Sequence, residues 1–144
     1  MSLRAAIHAA SGVPRIFTAA LKAGASPVDA AQVVSISAAA TTVATRRGRG
    51  VPGRQNATRH FVWQALLTAR HGVELARSVA DAQEVGTPDR RDSQADRHNN
   101  DVGQRYGGEH AVDLAGLSIR EAADRLAGVA LEKWANGELA GVSR

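Results

Sequence analysis

The chain combines frequent helix-capping signals with almost no strand signal, and this combination disfavours folds that contain a β-sheet. Aromatic residues make up 3% of the sequence, whereas strands favour aromatic and β-branched residues. Ser26 followed by Pro27 is typical of a helix start, and Gly72 is typical of a helix end. The stretch "SIRE" (Ser118–Glu121) is a capping box that begins another helix. We therefore predict an all-α fold, a single-domain bundle of about six helices.

The stretch "RRGRGVPGR" is the clearest break in the helical pattern, because it is rich in Arg and Gly and contains no acidic residue. It divides one domain into N-terminal helices (1–45), an Arg/Gly loop (46–55) and a motif-bearing helical core (56–144). A solvated, mobile connector is the favoured interpretation of this loop, and an anion-binding loop is the alternative. The helix over 26–45 has small residues on all sides, which predicts a central, buried position.

The net charge of +4 is concentrated in that loop. Without its four arginines the chain has 14 basic residues against 14 acidic ones, so we expect no broad nucleic-acid-binding face. Cysteine is absent, which excludes disulfides and thiolate metal sites. The stretch Ala30–Thr45 is shorter than the roughly 20 apolar residues of a membrane span, and no signal peptide is evident. We expect a soluble protein, either cytoplasmic or exported by a signal-less route.

The stretch "RHNNDV" (Arg97–Val102) lies in a predicted helix from about Gln94 to Tyr106 that has few apolar positions. Asn99 falls on the same face as those positions and is expected to point inward. Asp96 and Asn100 form the adjacent row. Because a helix this polar packs poorly against hydrocarbon, its polar row should meet polar partners.

Those partners are expected on two preceding helices. His60 lies near the start of a helix over Asn56–His71, whose positive end favours the neutral imidazole that a ligand or general base requires. Asp81 and Glu84, three residues apart, share a face of the next helix. Taken singly, each of these residues has an ordinary structural explanation, such as pairing with Arg77 or capping a helix. Together they predict that His60, Glu84 and Asp96 converge on one partly wet cavity.

The polar segments resemble a family of uncharacterised helical domains from bacteria, found alone and at the C-terminal ends of large surface or toxin-like proteins. The family pattern is N-A-x-R-H-x-x-W, then L-L-T, then D-A-H-E, then D-x-x-N-N-x-x-G. The matching residues are Asn56, Ala57, Arg59, His60, Trp63, Leu66, Leu67, Thr68, Asp81, Ala82, Glu84, Asp96, Asn99, Asn100 and Gly103.

The resemblance covers about Asn56–Gly107 and implies a shared site without implying an activity. Gln83 stands where the pattern usually has His, which leaves His60 as the sole imidazole on a motif position. The residues expected to bind substrate or to support the catalytic groups are Arg59, Trp63, Asp81, Asn99 and Asn100.

These observations favour a hydrolase-like domain with His60, Glu84 and Asp96 in catalytic roles. Either the three hold a divalent metal ion that activates water, or His60 acts as a metal-free general base oriented by Asp96. Phosphodiester, ester and glycan substrates are equally open. One alternative is a non-enzymatic binding or accessory module in which the polar cluster is a structural hydrogen-bond network. Another is a toxin-like effector domain that a partner protein neutralises.

Overall fold

The computed structural model describes residues 3–84 and 90–141, with side chains for 13–84 and 93–141. These residues form seven helices and no strand, which confirms the all-α prediction. The helices are α1 (Leu3–Lys22), α2 (Pro27–Arg47), α3 (Arg54–His71), α4 (Val73–Glu84), α5 (Arg90–Glu109), α6 (Ala111–Ala115) and α7 (Ile119–Ala135). None of these helices is both long and apolar enough to cross a bilayer.

Two helices begin at side-chain caps that the sequence predicts. The Ser26 hydroxyl accepts a hydrogen bond from the Asp29 backbone N–H at the start of α2. Ser118 does the same for the Glu121 backbone N–H and donates to the Glu121 carboxylate over 3.0 Å. Each cap satisfies a backbone donor that the first turn of a helix leaves free.

Helix α1 is unbroken, although it contains both Gly12 and Pro14. Proline lacks a backbone N–H and usually ends or kinks a helix. Here α1 is one helix of 20 residues, and its buried residues Ile16, Ala19 and Ala20 lie beyond the proline.

Helix α3 occupies the centre of the molecule. Every residue from His60 to Thr68 is buried, and α3 packs against α2, α4, α5, α6 and α7. The prediction that the helix over 26–45 is central is wrong, since α2 buries one face and exposes Thr41 and Thr42 on the other. The buried residues of α3 include Phe61, Leu66 and Leu67, and side chains of this size remove more apolar surface from water than alanine does.

Two glycines of α5 allow it to lie directly against α3. A Cβ atom on Gly103 would lie 2.7 Å from the Phe61 carbonyl oxygen, and one on Gly107 would lie 2.1 Å from the Ala65 carbonyl oxygen. Neither distance is compatible with a side chain, so the two backbones touch at these positions.

The Arg/Gly segment is a turn that is shorter than the predicted loop over 46–55 and is restrained by hydrogen bonds. Helix α2 extends to Arg47 and α3 begins at Arg54, which leaves only residues 48–53 between them. The Arg54 guanidinium donates hydrogen bonds to the carbonyl oxygens of Gly48 (3.0 Å) and Arg49 (2.8 Å). Arg46 also pairs with Asp124 of α7. These contacts fix both ends of the turn.

Candidate functional site

A ladder of polar pairs joins α3 to α5. Asn56 Nδ2 donates to Asp96 Oδ1 over 2.7 Å, His60 Nδ1 lies 2.9 Å from Asn100 Oδ1, and Gln104 Nε2 donates to Gln64 Oε1 over 2.8 Å. Each pair is separated by 40 residues in the sequence. Successive members lie four residues apart on both helices, and their numbers increase together. Helices α3 and α5 therefore run in the same direction, and the ladder lies on one face of each.

His60 is the middle member of the ladder and is 5% exposed. Because the Asn100 carbonyl oxygen can only accept, His60 Nδ1 carries the hydrogen that joins them. Nε2 lies 3.4 Å from the Arg59 guanidinium and 3.4 Å from Asp96 Oδ1. The neutral ring therefore presents the lone pair of Nε2 beside one cation and one carboxylate.

The electrostatic surroundings keep this imidazole neutral. Burial lowers the pKa of His60, and the Arg59 guanidinium lowers it further. Asp96 and the Asn100 hydrogen bond raise it, without reversing the direction. His60 thus resembles a general base. It is deprotonated at neutral pH, and the lone pair of its Nε2 can accept a proton.

Asp96 is contacted at Oδ1 by two residues of α3, Asn56 and His60. Asn56 donates to its Oδ1, and Arg59 Nη2 donates to the Asn56 side-chain oxygen over 2.9 Å. Burial lowers the pKa of Arg59, while the charge of Asp96 opposes that shift. The result is a connected set of Asn56, Arg59, His60, Asp96 and Asn100, in which each group restrains the next.

A pocket lies beside this cluster and opens to solvent. Its volume is about 40 Å³, enough for a few water molecules and well below the several hundred Å³ of a ligand-binding cleft. Its walls come from α1, α2, α3 and α4, and its lining residues are Ile16, Ser37, Thr41, Arg59, His60, Trp63 and Gln83. The Trp63 ring meets the His60 ring nearly edge-on, with centroids 5.8 Å apart and planes 70° apart.

Two polar atoms of pocket residues are buried without a hydrogen-bond partner in the described part of the chain. They are the indole nitrogen Nε1 of Trp63 and the side-chain oxygen Oε1 of Gln83. An unpartnered buried group costs about 1–3 kcal/mol. Both residues line the pocket, but these two atoms have almost no accessible surface of their own.

The structure places some predicted site residues together and others apart. His60, Asp96, Asn100 and Arg59 share one cluster, and Trp63 forms part of the pocket wall. Glu84 is not among them. Both of its carboxylate oxygens accept from Arg97 Nε, at 3.1 and 3.0 Å.

Asp81 is exposed on α4 and is not among the residues that line the pocket. The predicted metal set of His60, Glu84 and Asp96 is likewise not assembled, because Glu84 is paired with Arg97. Within the described ranges, no group of three or more His, Asp or Glu side chains has the arrangement needed to hold a metal ion.

Asn99 is fully buried, as predicted, but its partners lie in the C-terminal segment. Its Nδ2 donates to the Ala140 carbonyl oxygen over 2.9 Å, and its Oδ1 accepts from the Ala140 N–H over 2.8 Å. The neighbouring His98 ring contacts the Glu138 carbonyl oxygen. Asn99 therefore fastens the chain after α7 to α5, and it is not among the residues that line the pocket.

Comparison with known proteins places the chain in a family. A family model described as a domain of unknown function (DUF6973) matches residues 21–124, well over half of the chain. The chain belongs to this family. No curated protein and no solved structure matched it.

The DUF6973 match is wider than the motif-based resemblance, which began at Asn56. It includes α2 and therefore the pocket residues Ser37 and Thr41. Ile16, in α1, lies outside the matched region. The family region thus contains the polar cluster and most of the pocket.

Sequence reasoning assigned no site role to Asn56 or Gln83. The signal for Asn56 was present, because it lies four residues before His60 just as Asp96 lies four residues before Asn100. Gln83 was noted only as a departure from the family pattern. Its position in the pocket depends on how α4 packs, which no local pattern indicates.

Proposed function

We propose that this DUF6973 domain is hydrolase-like, with His60 as a metal-free general base. The observation that carries the proposal is that a buried imidazole, kept neutral by its surroundings, lines an open pocket. Such an imidazole can accept a proton at neutral pH, and the pocket gives water access to it.

The hydrogen bonds around His60 suggest a division of roles. Asn100 fixes the tautomer in which Nδ1 carries the hydrogen and Nε2 is the base. When Nε2 takes a proton from water, the new N–H lies within reach of Asp96 Oδ1, 3.4 Å away. The Asp96 carboxylate would then stabilise the imidazolium until the proton passes to the leaving group.

Arg59 is the group best placed to bind a polarised or anionic oxygen of the substrate. Its contact with His60 Nε2 is long, at 3.4 Å. A substrate oxygen would compete for that guanidinium and thereby free the Nε2 lone pair. Asn56 would keep Asp96 in position throughout, through its 2.7 Å hydrogen bond.

The metal-dependent version of the hypothesis has less support. His60 and Asp96 supply one nitrogen and one oxygen ligand, whereas a catalytic zinc site uses three protein ligands. Glu84, the third predicted ligand, is engaged with Arg97. We therefore assign Glu84 no role in the reaction.

The test is hydrolysis of a chromogenic panel that comprises a carboxylic ester, a phosphodiester, an anilide and aryl glycosides. We expect turnover of one class by the wild-type chain, and a loss of about 100-fold or more in His60→Gln. His98→Gln is the matched control, since His98 is exposed on α5 and lies outside the pocket lining. Turnover should persist in EDTA. Full activity in a folded His60→Gln variant would overturn the proposal.

A non-enzymatic accessory module is the second candidate, because the ladder continues beyond the pocket. The Gln64–Gln104 pair is fully buried and belongs to the same series. This continuity suits a network that sets helix register. On this interpretation His60→Gln would lower the free energy of unfolding, and no substrate class would be turned over.

A further inference from the structure

A second and larger hollow shares Arg59 and Thr41 with the pocket. Its volume is about 270 Å³, close to the lower end of the range for small-molecule sites. It lies between the C-terminal half of α2 and the start of α3. We call it the outer hollow, and its lining includes Thr41, Thr45, Gly53, Gln55, Asn56 and Arg59. A ligand that binds Arg59 there would lie beside the His60 cluster.

Arg59 brings to this hollow a positive charge without an ion pair. Its guanidinium forms no salt bridge with any described residue, and both of its hydrogen-bond contacts use Nη2. Nε and Nη1 have no partner there, yet neither is among the sealed polar atoms, so both keep surface that a ligand can reach. Burial is the main cause that lowers the pKa of Arg59. A largely desolvated cation with free donors indicates an anionic ligand.

The start of α3 adds further donors to the same hollow. Gly53 is the N-cap of α3 and has no side chain to cap the first turn. The backbone N–H groups of Gln55 and Asn56 donate to no carbonyl oxygen of the described chain. Helical side chains lean towards the N-terminus, and the hydrogen bond from Arg59 to the Asn56 side chain shows that Arg59 reaches back over this turn. The guanidinium and the free N–H groups therefore belong to one site.

The charges around the outer hollow favour an anion. The stretch from Arg46 to Arg59 contains five arginines and no acidic residue. Among the described residues, Arg46 is the one member of this set with a salt bridge, to Asp124. Asp96 is the carboxylate whose charge acts on Arg59, but it is contacted by Asn56 and does not line the hollow. Positive charge is thus in excess at this end of α3.

We propose that the outer hollow binds the phosphate group of a phosphate ester, with Arg59 donating to it from Nε and Nη1. The backbone N–H groups of Gln55 and Asn56 would donate to its remaining oxygens. The inference rests on the proposed function, for which it names the substrate class.

The free groups of the hollow suit a phosphate better than the other substrate classes. They are all donors, and phosphate oxygens are acceptors only. A glycan hydroxyl or an amide N–H would bring donors of its own, and a carboxylic ester has no charge to pair with the guanidinium. A carboxylate offers two oxygens and one charge, whereas a phosphate monoester offers three oxygens and up to two charges.

Binding is tested by NMR titration of the full wild-type chain at constant ionic strength. The probe is methyl phosphate, and the matched probe is trimethyl phosphate, which has the same core and no charge. We expect saturable binding of methyl phosphate, at least about ten-fold weaker binding of trimethyl phosphate, and shifts of the Gln55 and Asn56 amide signals. No saturable binding of methyl phosphate, equal binding of both probes, or tighter binding of acetate would overturn the proposal.

One pair of variants separates the hollow from the exposed arginines of the Arg/Gly segment. Arg59→Gln should weaken binding of methyl phosphate by roughly 10- to 100-fold, the effect of hydrogen bonds to a charged group. Arg49→Gln removes the same charge from an exposed position outside the lining and should change binding less than about two-fold. The reverse order would place the anion on the surface and overturn the site.

A second pair keeps the test valid if Arg59→Gln does not fold. Gln55 is exposed at the start of α3, where a carboxylate is favourable to the helix. Gln55→Glu should therefore fold and weaken binding by about ten-fold or more through repulsion. Gln32→Glu makes the same change near the other end of α2, about 20 Å from Thr45 along the helix axis, and should leave binding unchanged. Equal binding by the two variants would refute the site.

The His60 imidazole reports whether the anion lies at Arg59. The Arg59 charge lowers the pKa of His60, so an anion bound to Arg59 should offset that effect and raise the pKa. NMR titration of the imidazole with and without saturating methyl phosphate measures the change, which should disappear in Arg59→Gln. An unchanged His60 titration in the wild-type chain would place the anion elsewhere and overturn the proposal.

Two further arms separate the source of the phosphate and the fate of each proposal. Tighter binding of dimethyl phosphate than of methyl phosphate would assign the group to a diester, and the reverse order to a monoester. Arg59-dependent phosphate binding without hydrolysis of any substrate class would retain this inference and refute the hydrolase. His60-dependent hydrolysis of a neutral ester or glycoside, by a chain that does not bind methyl phosphate, would do the opposite.

Discussion

His60 and Asn100 lie 40 residues apart in the sequence, and their side chains meet over 2.9 Å. The same separation joins Asn56 to Asp96 and Gln64 to Gln104. A shift of one helix against the other by a single turn would break all three of these pairs and bring different residues together, such as His60 and Asp96 without Asn56. The ladder therefore fixes the register of α3 and α5 at the same time as it positions His60 beside the pocket.

Replacing Asn100 tests the central row of this ladder. Asn100→Ala should lower the free energy of unfolding by about 1–3 kcal/mol, because it leaves the His60 Nδ1–H buried without an acceptor. Asn100→Asp should restore the acceptor and raise the pKa of His60, since it places a carboxylate next to the ring. Denaturant melts measure the first effect and NMR titration of the imidazole the second. An unshifted His60 titration in Asn100→Asp would contradict the contact.

The stability of the chain should depend on pH through His60. Burial, followed by the Arg59 charge, lowers the pKa of His60 from its ordinary value of 6.5. Below about pH 6.5 the unfolded chain therefore binds this proton more readily than the folded chain does, and stability falls as the pH decreases. The loss should approach about 1.4 kcal/mol per pH unit until the folded-state pKa is reached.

His71 contributes with the same sign, because burial is the main cause that lowers its pKa as well. Thermal melts between pH 7.5 and pH 5 should therefore be compared for His60→Gln and His71→Gln. Each substitution is expected to reduce the loss of stability that the chain shows as the pH falls from 7.5 to 5. A His60→Gln curve parallel to that of the wild type would show that His60 is not buried in its neutral form.

The helices could be predicted largely from the sequence, because their ends depend on local chemistry. The caps at Ser26 and Ser118 and the glycine at position 72 act within one turn of the chain. The central helix could not be identified in the same way. Burial of α3 results from five other helices that pack around it, and no single window of sequence contains that information.

The site was predicted in part for the same reason. Helical periodicity placed Asp96 and Asn100 on one row, and a polar row needs polar partners, which led to His60. Periodicity also placed Glu84 on the same face of its helix as Asp81. It could not indicate that Arg97 would take both oxygens of that carboxylate, since this pairing depends on how α4 and α5 cross.

The close contact between α3 and α5 leads to a prediction about glycine. Gly107→Ala should destabilise the fold by about 1–3 kcal/mol or more, because its Cβ would overlap the Ala65 carbonyl oxygen at 2.1 Å. Gly108→Ala is the matched control one residue later, where the nearest atom to a Cβ is 3.9 Å away. That change should be neutral or stabilise by up to about 1 kcal/mol through helix propensity. Equal melting temperatures for the two variants would refute the backbone contact.

The C-terminal segment should depend on Asn99. The Asn99 amide pairs with both the N–H and the carbonyl of Ala140, and the preceding residue, Leu139, is buried. Asn99→Leu would leave two backbone groups unpartnered, and we expect it to destabilise the chain by about 1–3 kcal/mol and to release residues 138–141. Arg105→Leu, at an exposed position of the same helix, should do neither. Hydrogen exchange of the Ala140 amide separates the outcomes, since an amide that stays protected in Asn99→Leu would mean that the segment is held by Leu139 alone.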